Sequence, residues 1–320
     1  MEVFLGSGLA YARIGLILLV LVAAIVWFVP SYYTGLLTLI ALYALVTLGL
    51  NLFMGYGGQV SLGQAAFFGV GAYGSATLAT RAHLTPWLGT LAGGVLAALL
   101  AYALSFAVLR LRENLLALAT LALGIVVTVA FNEWDFVGGS SGIKDIPGFA
   151  LGAYVFDPRA YAILAWLLLL IGIWFAGNLV GSTYGRTLIA IANGELGAQT
   201  LGVDSVRLKR QIFVLAGAYA GIAGGVYASY QSYIDPTQFG FLLSVNFVLM
   251  SVIGGMRTLW GAVVGATVVV ALTQILQTVV PIVLPSARGD FQAFFLGAIL
   301  IAMLILLPRG LVARLSEARA

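Results

Sequence analysis

The sequence predicts an all-α integral membrane protein of about ten transmembrane helices, with both termini in the cytoplasm. Three observations predict it. The 320 residues are 62% hydrophobic and only 8% charged, against roughly a quarter charged in soluble domains. No Asp, Glu, Lys or Arg stands between Arg13 and Arg81, and further uncharged runs cover 82–109, 160–185, 212–234, 236–256, 258–287 and 291–308. Such runs suit the roughly 20 helical residues that cross about 30 Å of hydrocarbon, where a charge at the centre costs about 2.5–3.5 kcal/mol. Runs such as 16–29 and 294–307 do not alternate apolar with polar residues, which a membrane β-barrel would require.

In chain order the predicted spans are 14–29, 34–54, 60–80, 87–109, 115–131, 160–180, 211–233, 241–255, 259–280 and 291–307. The run beginning at Ile14 reads as a first helix rather than a signal peptide, because further spans follow it instead of a small-residue cleavage site. The span at 241–255 is short, and Asp235-Pro236 before it reads as a turn. The whole of 1–320 is then one transmembrane domain.

Basic residues accumulate on the cytoplasmic side of membrane proteins. With ten spans, Arg110 and Arg112, then Arg186, Arg207, Lys209 and Arg210, then Arg309, Arg314 and Arg319 all fall on that side. The segment 132–159 carries Glu133, Asp135, Asp145 and Asp157 against Lys144 and Arg159, which places it outside as a periplasmic loop. Arg81 would lie outside as well. The main cytoplasmic segment, 181–210, is too short for a nucleotide-binding domain, and no G-x-x-x-x-G-K-[ST] occurs to cradle phosphates.

Composition removes other chemistries. The chain has no cysteine and a single histidine, His83, so thiolate nucleophiles, disulfides and multi-histidine metal centres are excluded. No metal site, cofactor or catalytic residue is expected. The net charge of +4 is dispersed among apolar runs without an aromatic-interleaved patch, which argues against nucleic acid as a partner.

Four groups of residues stand out. The segment 55–73, GYGGQVSLGQAAFFGVGAY, is glycine-rich and places Gln59, Ser61 and Gln64 at or near membrane depth, just after Asn51. Irregular backbone and polar groups survive there only when buried in protein or facing a wet cavity. It reads either as an element of a translocation path, with Asn51, Gln59, Ser61 and Gln64 as candidates, or as a tight turn entering a packed helix. The segment 254–266, GGMRTLWGAVVGA, echoes it weakly, as an internal duplication would. Gly217, Gly221 and Gly225, and likewise Gly261 and Gly265, recur every fourth residue, a spacing that lets helix backbones approach closely in lipid. In 184–204 a partial apolar face of Leu188, Ile191 and Leu201 opposes Arg186, Glu195 and Asp204. That is either a docking helix or a solvated loop, the latter favoured by Gly194 and Gly197.

Leu50-Asn51 followed by GYGGQVSLGQAAFFGVGAY resembles the signature of permeases from branched-chain amino-acid ABC importers, specifically their M-type subunit. Further motifs occur in that family's order: Leu116 to Leu121 as LALATL, Gly138 to Ile143 as GGSSGI, the segment 184–204, the segment 252–265, and Pro308-Arg309-Gly310-Leu311. The resemblance implies a multi-pass protein of the bacterial inner membrane that forms half of a translocation pore. It implies a second, homologous permease, two cytoplasmic ATPase subunits and a periplasmic solute-binding protein as partners, alongside the lipid bilayer. The family's ATPase-coupling loop is matched at Gly185, Arg186, Ala190, Ile191, Glu195, Ala198 and Gly202. The chain departs from it at Ala192, Asn193, Gly194 and Gly197, losing an arginine and an acidic residue. Gly185, Arg186, Glu195 and Gly202 are thereby candidates for coupling to the ATPase.

Relatives of this shape also serve urea, short amides or aromatic acids, so the solute stays open among these and the branched-chain amino acids. An ion-coupled secondary transporter would need an ionisable residue well inside a span, and Glu133 and Asp135 lie only at a span end. An intramembrane enzyme would need paired carboxylates or a Ser–His pair, and the spans hold neither.

Overall fold

The computed structural model describes residues 30–111, 113–152, 154–283, 297–298 and 310–312. The predicted span 14–29 lies outside the described residues, as does 291–307 except for 297–298. The described chain is helical, apart from a two-stranded antiparallel hairpin, Ala150–Leu151 (β1) with Tyr154–Val155 (β2).

Helix α1, Ser31–Asn51, continues into a π-helical turn, Leu52–Tyr56. It is followed by α2, Gln64–Arg81, α3, Pro86–Val108, and α4, Glu113–Glu133. After the hairpin come α5, Pro158–Gly181, α6, Thr183–Asn193, and the short α7, Glu195–Thr200. Helix α8, Ser205–Gln231, a 3₁₀ turn at Pro236–Phe239, α9, Phe241–Gly254, and α10, Leu259–Val283, complete the described part.

Among the described residues, 7 helices are long and apolar enough to cross a membrane by length and composition. They correspond to the predicted spans 34–54, 87–109, 115–131, 160–180, 211–233, 241–255 and 259–280. The eighth predicted span in the described region, 60–80, corresponds to α2. It is less apolar than the others, and most of its residues are buried within the bundle. At the other extreme α4 is the least enclosed span, with only 22% of its window buried.

Helix ends follow local chemistry. Pro86 and Pro158 occupy first-turn positions, where a missing N–H breaks no intrahelical bond. The side chains of Asp157 and Asp204 cap α5 and α8, accepting from Ala160 N at 2.9 Å and Arg207 N at 3.0 Å.

Three helices meet where side chains are smallest. A Cβ on Gly221 of α8 would lie 2.5 Å from Ala97 Cβ, 2.9 Å from Gly94 Cα and 3.0 Å from Gly93 O on α3. Gly71 and Gly224 make equally close approaches between α2 and α8. Gly217 faces Ala101 and Gly225 faces Thr90, so the whole stripe lies against α3. Gly261 and Gly265 bring α10 against Gly254 and Met250 of α9. Around this frame, Phe68 is ringed by Tyr43, Tyr227, Phe239 and Phe247. Polar ties cross the bundle: Trp166 Nε1 donates to Leu37 O at 3.1 Å, and Tyr219 Oη to Gly172 O at 3.0 Å.

The two connecting regions lie at opposite ends of α5 and α8. At one end, the loop between α4 and α5 is pinned by Ile143 pairing with Ile234, by Phe149 N donating to Tyr161 Oη, and by Tyr161 Oη donating to Ser229 O. Arg81 joins it through Asp135 O and the Phe136 ring. The opposite end gathers α6, α7, the start of α8 and the end of α3.

Candidate translocation and coupling site

The glycine-rich segment after Asn51 is an interruption between two buried helices. Helix α1 widens into the π turn, whose five residues are all buried, and Gly58 turns the chain with φ +67°. Single π turns inside helices recur at functional sites. The N–H groups around the start of α2 cannot find intrahelical partners, and side chains from two other helices and from the segment itself supply acceptors. Thr120 of α4 accepts from Leu62 N at 2.9 Å, Ser244 of α9 accepts from Ala65 N at 3.0 Å, and Ser61 Oγ accepts from Gly63 N at 3.4 Å.

The four polar residues singled out from the sequence occupy different environments. Asn51 is fully buried, donates through Nδ2 to Thr258 O at 3.2 Å and accepts from Ser251 Oγ through Oδ1. Gln64 is buried and donates to Ala216 O on α8 at 3.0 Å, so its amide is satisfied within the chain. Ser61 is buried beside it. Gln59 is buried too, but it lines a cavity of about 560 Å³ together with Leu109, Arg110, Leu111, Glu195, Leu196, Gln199, Val206 and Lys209. The amides of one motif therefore split between the bundle interior and the end that carries α7.

The turn between α9 and α10, where the sequence echo lies, clamps the interruption. Tyr56 Oη donates to Arg257 O at 2.8 Å, and Arg257 Nε donates to Gly55 O at 3.2 Å. Gly55 abuts the Met256 carbonyl so closely that a Cβ there could not be placed. Arg257 Nη2 also reaches Asn193 Oδ1 at 3.3 Å, at the end of α6, and a Cβ on Gly58 would lie 3.1 Å from Ala192. The interrupted helix, the α9–α10 turn and α6 form one contact group.

Segment 181–210 is mostly helical, not a solvated loop. Gly194 separates α6 from α7 instead of dissolving both. Leu188 and Ile191 are buried, as an amphipathic helix requires, but Leu201 points outward and is 85% exposed, so it is not part of the apolar face predicted for it. The reason is the break at Gly194, which starts a new helical register. Gly185 is the corner between α5 and α6, where a Cβ would collide with Val180. Gly202 adopts φ +81° in the turn into α8.

Arg186 bonds locally, to Gly181 O at 3.4 Å and Thr183 Oγ1 at 3.0 Å. Glu195, expected to be an exposed acid, instead accepts from Lys209 Nζ at 2.8 Å, and the Lys209 side chain is only 6% exposed. Tyr184 Oη donates to Leu208 O at 3.1 Å, and burial pushes its phenol up to about 12, so it remains a neutral donor tying α6 to α8.

Sequence reasoning missed Thr120, Ser244, Ser251, Arg257 and Lys209. Four of them act on residues 58 or more positions away and Lys209 on one 14 positions away; Thr120, inside the LALATL motif, and Arg257, set in the glycine turn of the sequence echo, carried a local signal. Among the described residues no group of three or more His, Cys, Asp or Glu side chains could hold a metal ion.

A family model described as "Branched-chain amino acid transport system / permease component" matches residues 32–304. The chain is 28% identical to the high-affinity branched-chain amino acid transport system permease protein LivM of Escherichia coli (strain K12), over 91% of this chain and 73% of that protein. It is 24% identical to the probable branched-chain amino acid transport permease protein LivH of Methanocaldococcus jannaschii, over 84% of this chain and 88% of that one. A shorter match, 34% identical over 44% of this chain and 43% of the relative, is to the autoinducer 2 import system permease protein LsrC of Photorhabdus luminescens. No solved structure matches the chain significantly.

Proposed function

The chain belongs to the branched-chain amino acid transport permease family, and on that premise we propose that it is one permease subunit of an ATP-driven importer for branched-chain and related hydrophobic amino acids. It sits in the bacterial inner membrane with about ten spans, both termini and 181–210 in the cytoplasm, and 132–159 in the periplasm. A second homologous permease completes the pore, a binding protein delivers solute from outside, and two ATPase subunits engage α6 and α7.

The observation that carries this reading is the contact group joining the interrupted helix to α6 through Arg257 and Gly58. A transporter of this kind must link a cytoplasmic event to an element at membrane depth, and a helix broken inside protein is such an element. Asn51, Gln59, Ser61 and Gln64 belong to it, while Gly185, Arg186, Glu195 and Gly202 shape the coupling segment. Exposed Leu196 on α7 and Leu201 just after it supply an apolar surface for the ATPase. The chain itself performs no chemistry. Binding of ATP by the partner subunits shifts the permease between inward and outward openings through their differential affinity for the two states.

Uptake of radiolabelled leucine, isoleucine and valine by proteoliposomes holding the four-component complex tests the proposal. Uptake should require ATP on the ATPase side together with the binding protein, and competition by urea, acetamide or benzoate distinguishes the other solute classes. Accumulation driven by a proton or sodium gradient without ATP would contradict it.

A further inference from the structure

We propose that Lys209 is a positioning residue for transport: its ion pair with Glu195 is the strut through which movement of α7 reaches α8 and the interrupted helix. This rests on the reading of 181–210 as the ATPase-coupling segment and names the residues that carry the coupling inward.

Lys209 is the buried member of the pair and Glu195 the accessible one, their side chains 6% and 40% exposed. A buried ammonium is stable only with a partner, so α8 holds Glu195 wherever α7 goes. Other anchors of α7 are its buried Ala198 and the bond from Val203 N to Ala198 O at 3.2 Å. The helix has six residues and is bounded by Gly194 and Leu201; Leu196 and Leu201 are exposed, and there is open space around Gly194, Gly197 and Gly202. The pair also borders the cavity of about 560 Å³ that Gln59 of the interruption lines, which places it beside the interrupted segment.

From Lys209 the contacts run inward along one helix face, since residues four and seven positions apart lie on the same side. Phe213, fully buried, places its ring 5.0 Å from Phe53 of the π turn and 5.4 Å from Phe67 of α2. Ala216 O accepts from Gln64 at the start of α2. Packed interiors transmit displacement because they lack slack. An ion pair at the surface would be too weak and too screened for this, but one whose cation is buried cannot part without stranding a charge.

The test uses the assembled complex in proteoliposomes, with leucine as the probe solute. In Lys209→Met, leucine uptake per ATP hydrolysed should fall by about tenfold with ATPase co-purification unchanged, and Glu195→Gln should lose coupling to the same extent. Half-saturation by the binding protein should also be unchanged. Lys209→Arg should retain coupling, and the exchanged pair Glu195→Lys with Lys209→Glu should recover most of it, which single losses of unrelated residues would not. Wild-type coupling in Lys209→Met would overturn the proposal. So would loss of ATPase co-purification in Glu195→Gln alone, since Glu195 would then act by touching the ATPase and not through Lys209. Failure of the wild-type complex to couple ATP to leucine uptake would instead overturn the underlying functional reading, and the proposal with it.

Discussion

Replacing Gly221 by alanine tests whether the α3–α8 contact depends on a missing side chain. The added Cβ would sit 2.5 Å from Ala97 Cβ and 2.9 Å from Gly94 Cα, whereas carbon atoms rest about 3.5–4.0 Å apart. The helices must therefore separate by about 1 Å, enough to forfeit roughly a quarter to a half of the dispersion attraction at each neighbouring contact. Overpacking of this kind costs about 1–3 kcal/mol. The upper part of that range, about 2–3 kcal/mol, applies because the facing atoms are backbone and a methyl group that cannot rotate aside; alanine's better helix propensity returns about 1 kcal/mol, which leaves a net loss of about 1–2 kcal/mol. Reversible unfolding in detergent micelles measures it, with Gly197→Ala as the control. Gly197 has nothing within 4 Å and lies in a short exposed helix, so alanine there should be neutral or stabilising. A Gly221→Ala protein as stable as the parent, or more so, would refute close packing at this crossing.

Gln64→Leu removes a single amide bond to a helical carbonyl, which is worth about 1 kcal/mol; the folded protein should survive. Uptake should nevertheless fall, and undiminished uptake in Gln64→Leu and Gln59→Leu would leave the glycine-rich segment as packing alone. Arg257→Ala should lower uptake while sparing the α9–α10 packing, which rests on Gly254, Gly261 and Gly265; a parallel loss of thermal stability and uptake would assign Arg257 to the fold instead. Because the chain contains no cysteine, single cysteines at Ser141 and Leu196 report sidedness without background. An impermeant thiol reagent should reach the first from the periplasm and the second only from the cytoplasm, and the reverse pattern would invert the topology.

The sequence exposed the parts of the fold governed by local rules. Charge-free runs located seven helices because lipid-facing segments cannot afford ionised groups, and α2 was found despite its polarity because its neighbours bound it on both sides. Gly217, Gly221 and Gly225 were legible as a stripe, and the facing stripe of α3, Gly89, Gly93, Ala97 and Ala101, repeats the same spacing although it was not singled out; Gly71 and Gly94, which complete the crossing, have no glycine four residues away and gave no such signal. The division of Gln59 from Gln64 could not be read at all. It depends on α8 lying over the start of α2, a contact made across a long sequence separation. Segment 181–210 was ambiguous for a related reason. Gly194 and Gly197 lower helix propensity, but Tyr184, Leu188 and Ile191 are anchored by tertiary contacts that outweigh it. Glu195 looked solvent-facing because its buried partner, Lys209, was counted among the topology-setting cations.

The central claim is that the cytoplasmic segment governs the interrupted helix, and accessibility at Gln59 tests it most directly. In the assembled complex a single Gln59→Cys side chain should react with a thiol reagent at one rate in the ATP-free state and at a distinctly different rate when the ATPases are trapped with ATP and vanadate. The same cysteine in a complex carrying Lys209→Met should lose that difference. An identical rate in the two wild-type states would show that events at the ATPase never reach the interruption, and would contradict the account.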